Sequence, residues 1–349
     1  MLHYEVLDPS FRVPFEILLQ QTWEQNWSGT IAEQIVHWRY FDRPPGALTW
    51  LAMDGDVCVG MLDSMLRPYL LDGQRIMVRE TADWYCSPAY RKYGVGLWLL
   101  RKLRLYPEPL FVLGGSHYTL EILPKWHWTQ LPSATSYIFP VKIRGLAANL
   151  IRQRWWTHER WARAVPNLPF KIPKRIAPPR GGRPHVQVLT DGKLNFPRPP
   201  VGEGLIQLFD QAHWEWLCRM PRDLAQPIGI TFSLDSCLVG FSLSQIEPAA
   251  SGLDARIMHI HTAPDLLEWV IAETTRILAD HDVGFIRCCV STDDKIKAME
   301  TIGYIKSKEV PCHWLQLSAP ATPGMIDVGY LRGDDAIPFQ ALRGRMGKV

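Results

Sequence analysis

The stretch Arg91-Lys92-Tyr93-Gly94-Val95-Gly96 decides how this chain is read. An extended run, Ile76 to Cys86, precedes it and leads into a Ser87-Pro88 turn. A segment with helical periodicity, Leu97 to Leu105, follows it. A strand, a turn and a helix opened by two glycines make a natural anion cradle. Small residues let backbone N–H groups approach a phosphate closely, and the helix N-terminus adds partial positive charge. The other use of Gly94 and Gly96 is a plain tight turn into a helix.

Outward from this stretch, the first block has a regular order. Val13 to Trp23 and Ile31 to Tyr40 read as helices, and Phe41 to Gly46 breaks the pattern. Leu48 to Met53, an Asp54-Gly55 turn and Val57 to Met65 read as a hairpin. A second turn falls at Asp72-Gly73, and Leu110 to Leu113 is a short strand ending at Gly114-Gly115-Ser116. A fainter copy follows in the C-terminal half. Gly204 to Cys218 is helical in pattern, and Ile228 to Leu234 with Leu238 to Ile246 forms a hairpin. A strand at Ala255 to His261, a helix at Leu266 to Ala279, a strand at Phe285 to Val290 and a helix at Asp293 to Thr301 complete it. The expected fold class is therefore α/β, with two modules, each a mixed central sheet flanked by helices. The expected division is 1–148, a linker 149–200, a second module 201–320 and a tail 321–349.

Composition narrows the function classes. At 349 residues the chain is comfortable for two domains. A net charge of +3 gives no general affinity for nucleic acid. Seven scattered cysteines form no CxxC pair, which fits reduced thiols and argues against a disulfide scaffold or a zinc ribbon. No apolar run approaches the ~20 residues that span a bilayer. The opening Met-Leu-His-Tyr-Glu lacks a basic segment and a cleavage site, so the expected location is cytoplasmic.

The order strand, Ser-Pro, Arg, Gly-x-Gly, amphipathic helix resembles the acyl-CoA pyrophosphate loop of the GNAT acyltransferases. That pattern is Arg or Gln, two residues, Gly, one residue, Gly or Ala. The resemblance covers Trp38 to Lys142 and, more faintly, 204–317, as in tandem GNAT-like bacterial acyltransferases. It implies that the backbone of Trp84, Tyr85 and Cys86 holds a pantetheine arm. It also implies that Arg91, Lys92, Tyr93, Gly94, Val95 and Gly96 hold the pyrophosphate of acetyl-CoA or another acyl-CoA. The implied reaction moves an acyl group, acetyl in the first instance, to an amine such as an amino sugar or a small metabolite, without a metal.

Such a reaction needs a base for the amine, and a carboxylate serves when burial raises its pKa. Glu80, eleven residues before Arg91, matches the spacing of the glutamate base in the histone-acetylating branch. Asp83 matches an acidic position in a D-x-x-x-x-P-x-x-R arrangement, Asp83 to Arg91. Alternation puts the two on opposite faces unless a bulge intervenes. Many members protonate the leaving thiolate with a tyrosine of the last helix. Here that position is closest to Leu123, so either Tyr118 or His117 substitutes from the helix start or the thiolate leaves with no dedicated acid. The second block keeps an Ala298 to Tyr304 stretch close to the C-terminal motif, with Met299 or Glu300 in place of the tyrosine. It has no Arg-x-x-Gly-x-Gly after its central strand, only His261-Thr-Ala-Pro-Asp-Leu266, and reads as degenerate. His259 and His261 alternate on one strand face, without a third metal ligand.

The segment 149–185 is basic, with Trp155, Trp156 and Trp161 interleaved. It reads either as a docked linker or as a contact surface, over 150–183, for an acidic carrier protein, a membrane, another polyanion or the CoA phosphates. Two further readings stand beside acyl-CoA transfer to an amine. One is transfer from a carrier-protein or aminoacyl-tRNA donor, and the other is a non-catalytic CoA-binding module.

Overall fold

The computed structural model describes residues 1–22, 30–147, 164–173, 175–179, 181–197, 203–249, 252–316 and 323–329. The tryptophans of the basic segment and the tail from 330 onward lie outside the described residues.

The first module opens with a short strand β1 (Leu2–Val6), which sequence patterning does not reveal, and helices α1 (Arg12–Thr22) and α2 (Thr30–Val36). Strands β2 (Leu48–Asp54), β3 (Val57–Leu71) and β4 (Gln74–Cys86) form the expected meander. Next come a single turn α3 (Pro88–Arg91), helix α4 (Val95–Leu103), strand β5 (Leu110–Leu113), helix α5 (His117–Lys125) and strand β6 (Thr129–Pro140). The second module has strands β7 (Pro184–Leu189) and β8 (Leu205–Gln207) and helix α6 (Gln211–Cys218). A hairpin of β9 (Gln226–Leu234) and β10 (Cys237–Ala249) leads to β11 (Gly252–Thr262), α7 (Leu267–Ala279), β12 (Val283–Val290), α8 (Asp293–Ile302), β13 (Ile305–Leu315) and β14 (Ile326–Asp327). The helix expected over Gly204 to Cys218 is thus a strand, then a helix. Asp210 separates them by capping α6: its carboxylate accepts from His213 N.

Two modules are present, but they do not keep separate sheets. Among the described residues one fourteen-stranded sheet runs β1-β2-β3-β4-β5-β13-β6-β12-β11-β10-β9-β7, with β8 and β14 off this path. The last strands have been exchanged: β13 of the second module lies between β5 and β6, and β6 pairs with β12. Separating the modules would break four ladders of backbone hydrogen bonds, β5 with β13, β6 with β13, β6 with β12 and β3 with β8, so they fold as one body. The junction is sealed on one face by Trp38 and Trp216. Their rings stack at 4.6 Å and 8°, and each indole N–H donates to the other residue's carbonyl, at 2.7 and 3.1 Å.

Among the described residues, two strand pairs in the main path are parallel, β4 with β5 and β11 with β12. Each pair separates part-way along its length. β4 pairs with β5 only at Arg79↔Leu110 and Glu80↔Phe111, leaving residues 81–86 to diverge from β5. That divergence creates the site described next.

Candidate active site

A cleft of about 730 Å³ opens where β4 leaves β5. Trp84, Tyr85 and Cys86 line it from the strand, Arg91, Gly94 and Gly96 from the loop, and Tyr118 and Ile122 from α5. Backbone groups of the diverging strand lack a β5 partner there, which suits an extended ligand bearing amides.

The loop geometry explains both glycines. Gly94 caps α4 at φ 71° and ψ 20°, the left-handed region, where a side chain is strained. Among the described residues no neighbouring atom lies within 4 Å of where its Cβ would stand, so the requirement is conformational. Gly96 has the opposite cause. A Cβ there would meet the Trp84 indole nitrogen at 3.2 Å, and that nitrogen donates to Gly96 O at 3.0 Å. Trp84 therefore ties the loop to the strand. Helix α4 buries Val95, Leu99, Leu100 and Leu103, which aims its N-terminus at the cleft. The first N–H groups of a helix have no partner inside it and attract anions. Arg91 is exposed, and its Nε donates to Cys86 O at 3.2 Å. Burial pushes the Cys86 thiol up, against the lowering effect of Arg91.

The nine residues expected to bind the donor do not all face the cleft. Val95 is fully buried, so only its backbone belongs to the loop. Lys92 and Tyr93 are exposed and pack on each other, with the ammonium 5.0 Å from the ring centroid. Tyr118 is 69% exposed, at the start of α5 in the cleft wall, and His117 pairs with Glu121.

A smaller cavity of about 210 Å³ adjoins this cleft, with Trp84, Ser116 and Thr119 common to both walls. Its other walls are apolar, from Leu62, Leu100, Val112 and Leu123, with Thr81, Ala82 and Asp83 along β4. Strand β4 bulges at Asp83. The register steps from Met61↔Tyr85 to Asp63↔Ala82, and Asp83 takes φ 45°. The bulge brings Asp83 and Glu80 to the same face, that of Asp63, Arg67 and Tyr69.

The two carboxylates differ in surroundings. Glu80 Oε1 accepts from Tyr69 Oη at 2.6 Å and Gln207 Nε2 at 2.7 Å, and Oε2 faces Arg67 Nε at 3.0 Å. Asp83 Oδ2 accepts from Arg39 Nη2 at 3.0 Å and Tyr40 Oη at 2.9 Å. Burial raises the Asp83 pKa, Arg39 works against this, and Asp63 adds to it. Tyr40 is pushed well above its usual value by burial and by Asp83, so it stays a hydrogen-bond donor. Arg39 also reaches Asp63 Oδ2 at 3.0 Å, and Asp63 takes Arg43 and Thr49 on Oδ1. A π-helical turn, His37–Phe41, carries Arg39 and Tyr40 inward. Sequence reasoning missed Arg39, Tyr40, Asp63 and Arg67. The available signal was charge inside an apolar strand: Asp63 and Arg67 interrupt Val57–Leu71, and buried charges are rarely idle.

His259 and His261 lie apart from this cleft. With Arg75, Gln207, Asp210 and Phe241 they line a cavity of about 210 Å³ between the modules. Burial, then Lys295, holds His259 well below its usual pKa. No described helix is long and apolar enough to cross a membrane.

No protein-family model and no curated protein matches the chain. Solved structures do resemble it. A GCN5-related N-acetyltransferase from Anabaena variabilis matches at 13% identity and TM-score 0.53, over 90% of this chain and 73% of that one. A tandem GNAT protein from the clavulanic acid biosynthesis pathway matches at 13% and 0.52, over 92% of this chain and 100% of its own. N-myristoyltransferase from Saccharomyces cerevisiae, with bound myristoyl-CoA, matches at 10% and 0.54, over 90% and 83%. At such identities the likeness is one of fold: this is the GNAT fold, in tandem.

Proposed function

We propose that the protein transfers an acyl group from an acyl-CoA to an amine at the cleft between β4 and β5. One observation carries this reading. A left-handed Gly94 and the N-terminus of α4 stand at the mouth of a gap between parallel strands, beside an apolar cavity. The pyrophosphate fits the loop, Arg91 to Gly96, and the pantetheine arm fits along Trp84, Tyr85 and Cys86. The acyl group fits the apolar cavity, which has room for acetyl or another short chain. The GNAT fold of the acetyl- and myristoyl-transferring neighbours supports the class and leaves the acceptor open.

In this reading the amine nitrogen attacks the thioester carbonyl carbon, the C–S bond breaks, and the amine proton must leave. Asp83 is the better base: it lines the cavity, and burial keeps its pKa above the ordinary aspartate range. Glu80 already accepts two hydrogen bonds and faces Arg67, an arrangement suited to holding β3, β4 and β8 together. Tyr118, in the cleft wall, is placed to return a proton to the CoA thiolate. The test is release of free CoA thiol from acetyl-CoA across a panel of amines, with wild type and Asp83→Asn. Turnover with at least one amine that falls at least 10²-fold in the variant supports the reading. Equal turnover in both removes Asp83 from the mechanism.

A further inference from the structure

The gap between β4 and β5 has a counterpart in the second module, and there it is filled. Strands β11 and β12 run parallel from Leu253↔Val283 to Ile257↔Cys288 and then separate, as β4 and β5 do after Glu80↔Phe111. Residues 326–328 run along the edge of the second gap, and Gly329 enters it. Ile326 and Asp327 form β14, parallel to β8. Ile326 and Val328 are 1% and 2% exposed and pack in one cluster with Cys289. Ser291, just past β12, clamps the segment: its hydroxyl donates to Ile326 O at 2.8 Å and accepts from Val328 N at 2.9 Å. Lys295 of α8 pairs with Asp327 at 2.5 Å. Gly329 lies at the fork itself. A Cβ there would stand 2.5 Å from Met258 O and 3.6 Å from Cys289 O, the carbonyls of the two separating strands. Only glycine fits.

We propose that residues 323–329 are an internal ligand of the second module. They take the room that a pantetheine arm takes in the first module on the reading above, so each chain binds a single acyl-CoA. The chemistry is matched, because an extended peptide offers the same amide donors and acceptors to separating strands that pantetheine offers. The missing phosphate loop agrees: the turn into α7 is the 3₁₀ segment Pro264–Leu266, capped by Ala263 and without glycine. The segment also reaches the first module. Gly329 N donates to Gln207 Oε1 at 3.4 Å, which turns the Gln207 amide so that Nε2 donates to Glu80.

The experiment has two arms on the full-length chain. In the first, calorimetric titration with acetyl-CoA counts sites in wild type and in a loop-blocked Arg91→Ala/Gly94→Trp variant. One site is expected in the wild type and none in the variant; a second site that survives the block overturns the proposal. The second arm needs no acyl-CoA. Iodoacetamide labelling of each cysteine is followed by mass spectrometry in wild type and Gly329→Leu. Cys289 is expected to label at least about tenfold faster in the variant, while Cys58 and Cys288, in other clusters, stay protected. Unchanged protection of Cys289 overturns the proposal. If Gly329→Leu exposes every buried thiol by unfolding, Ser291→Ala, which removes only the clamp, is read in its place by the same criterion. A wild type that binds no acyl-CoA counts against the first module's reading, and the labelling arm still decides what closes the second gap.

Discussion

Replacing Asp63 or Asp83 by asparagine separates an anchor from a base. Both carboxylates are buried and both touch Arg39, so inspection of contacts alone would rank them together. Their surroundings say otherwise. Asp63 is fully buried and serves Arg39, Arg43 and Thr49. Neutralising it leaves two buried guanidinium groups short of an anion, a loss of about 3–5 kcal/mol by the usual cost of breaking a buried pair. Asp83 has a raised pKa, with burial as the first cause, so folding disfavours its charged form relative to the free side chain. Each unit of such a shift is about 1.4 kcal/mol that the neutral isostere does not lose. Arg39 also keeps Asp63 as its partner. Asp83→Asn is therefore expected to lie within about 1 kcal/mol of wild type, and Asp63→Asn at least about 3 kcal/mol below it. Urea unfolding at pH 7 measures both. Thiol release on the folded proteins should fall about 10²–10⁴-fold in Asp83→Asn. A loss of 3 kcal/mol or more in Asp83→Asn would make Asp83 a structural anion and refute the reasoning.

Other expectations follow from single features. Asp83 must be ionised to accept a proton, so kcat/KM should fall as pH drops through its raised pKa. That acid limb should lie above the ordinary aspartate value of about 3.9 and vanish in Asp83→Asn; a limb at the ordinary value, or one unchanged in the variant, removes Asp83 as its source. Glu80→Gln should cost several kcal/mol, because Arg67 loses its buried anion, while each folded molecule keeps its turnover; a hundredfold fall in turnover would reinstate Glu80 as the base. Gly94→Ala should cost about 1 kcal/mol and weaken acetyl-CoA binding, with Gly94→Asn costing less; equal stability of all three would mean that the left-handed turn is not required. Trp38→Phe removes the N–H that satisfies the buried Trp216 carbonyl and should cost about 1–3 kcal/mol in thermal or urea unfolding.

The parts of the fold that the sequence discloses are those governed by local pattern. β2, β3, β4, α4 and β5 were readable because apolar alternation, Asp-Gly turns and the Gly-x-Gly loop coincide within one stretch. The exchanged strands were not readable. β6 carries Pro132 and several serines and threonines, and β13 carries Pro311 and a charged start, so neither looks like a central strand. Their pairing joins residues more than a hundred positions apart, which no local periodicity encodes. At the candidate site the loop and both carboxylates were visible. The bulge that gathers Glu80 and Asp83 onto one face was not, because one left-handed aspartate leaves no trace in alternation. The filling of the second gap was equally hidden. Its absent glycines were plain, but the segment that fills it lies some sixty residues beyond the β11 strand it meets and beyond the exchanged β13.

The central claim is that the cleft at β4 and β5 holds an acyl-CoA through its glycine loop. Calorimetric titration of the purified chain with acetyl-CoA, beside Arg91→Ala/Gly94→Trp, tests it most directly. Micromolar binding by the wild type, lost in the variant, is the expected result. Failure of the wild type to bind acetyl-CoA or longer acyl-CoAs, or equal binding by the two proteins, would contradict it.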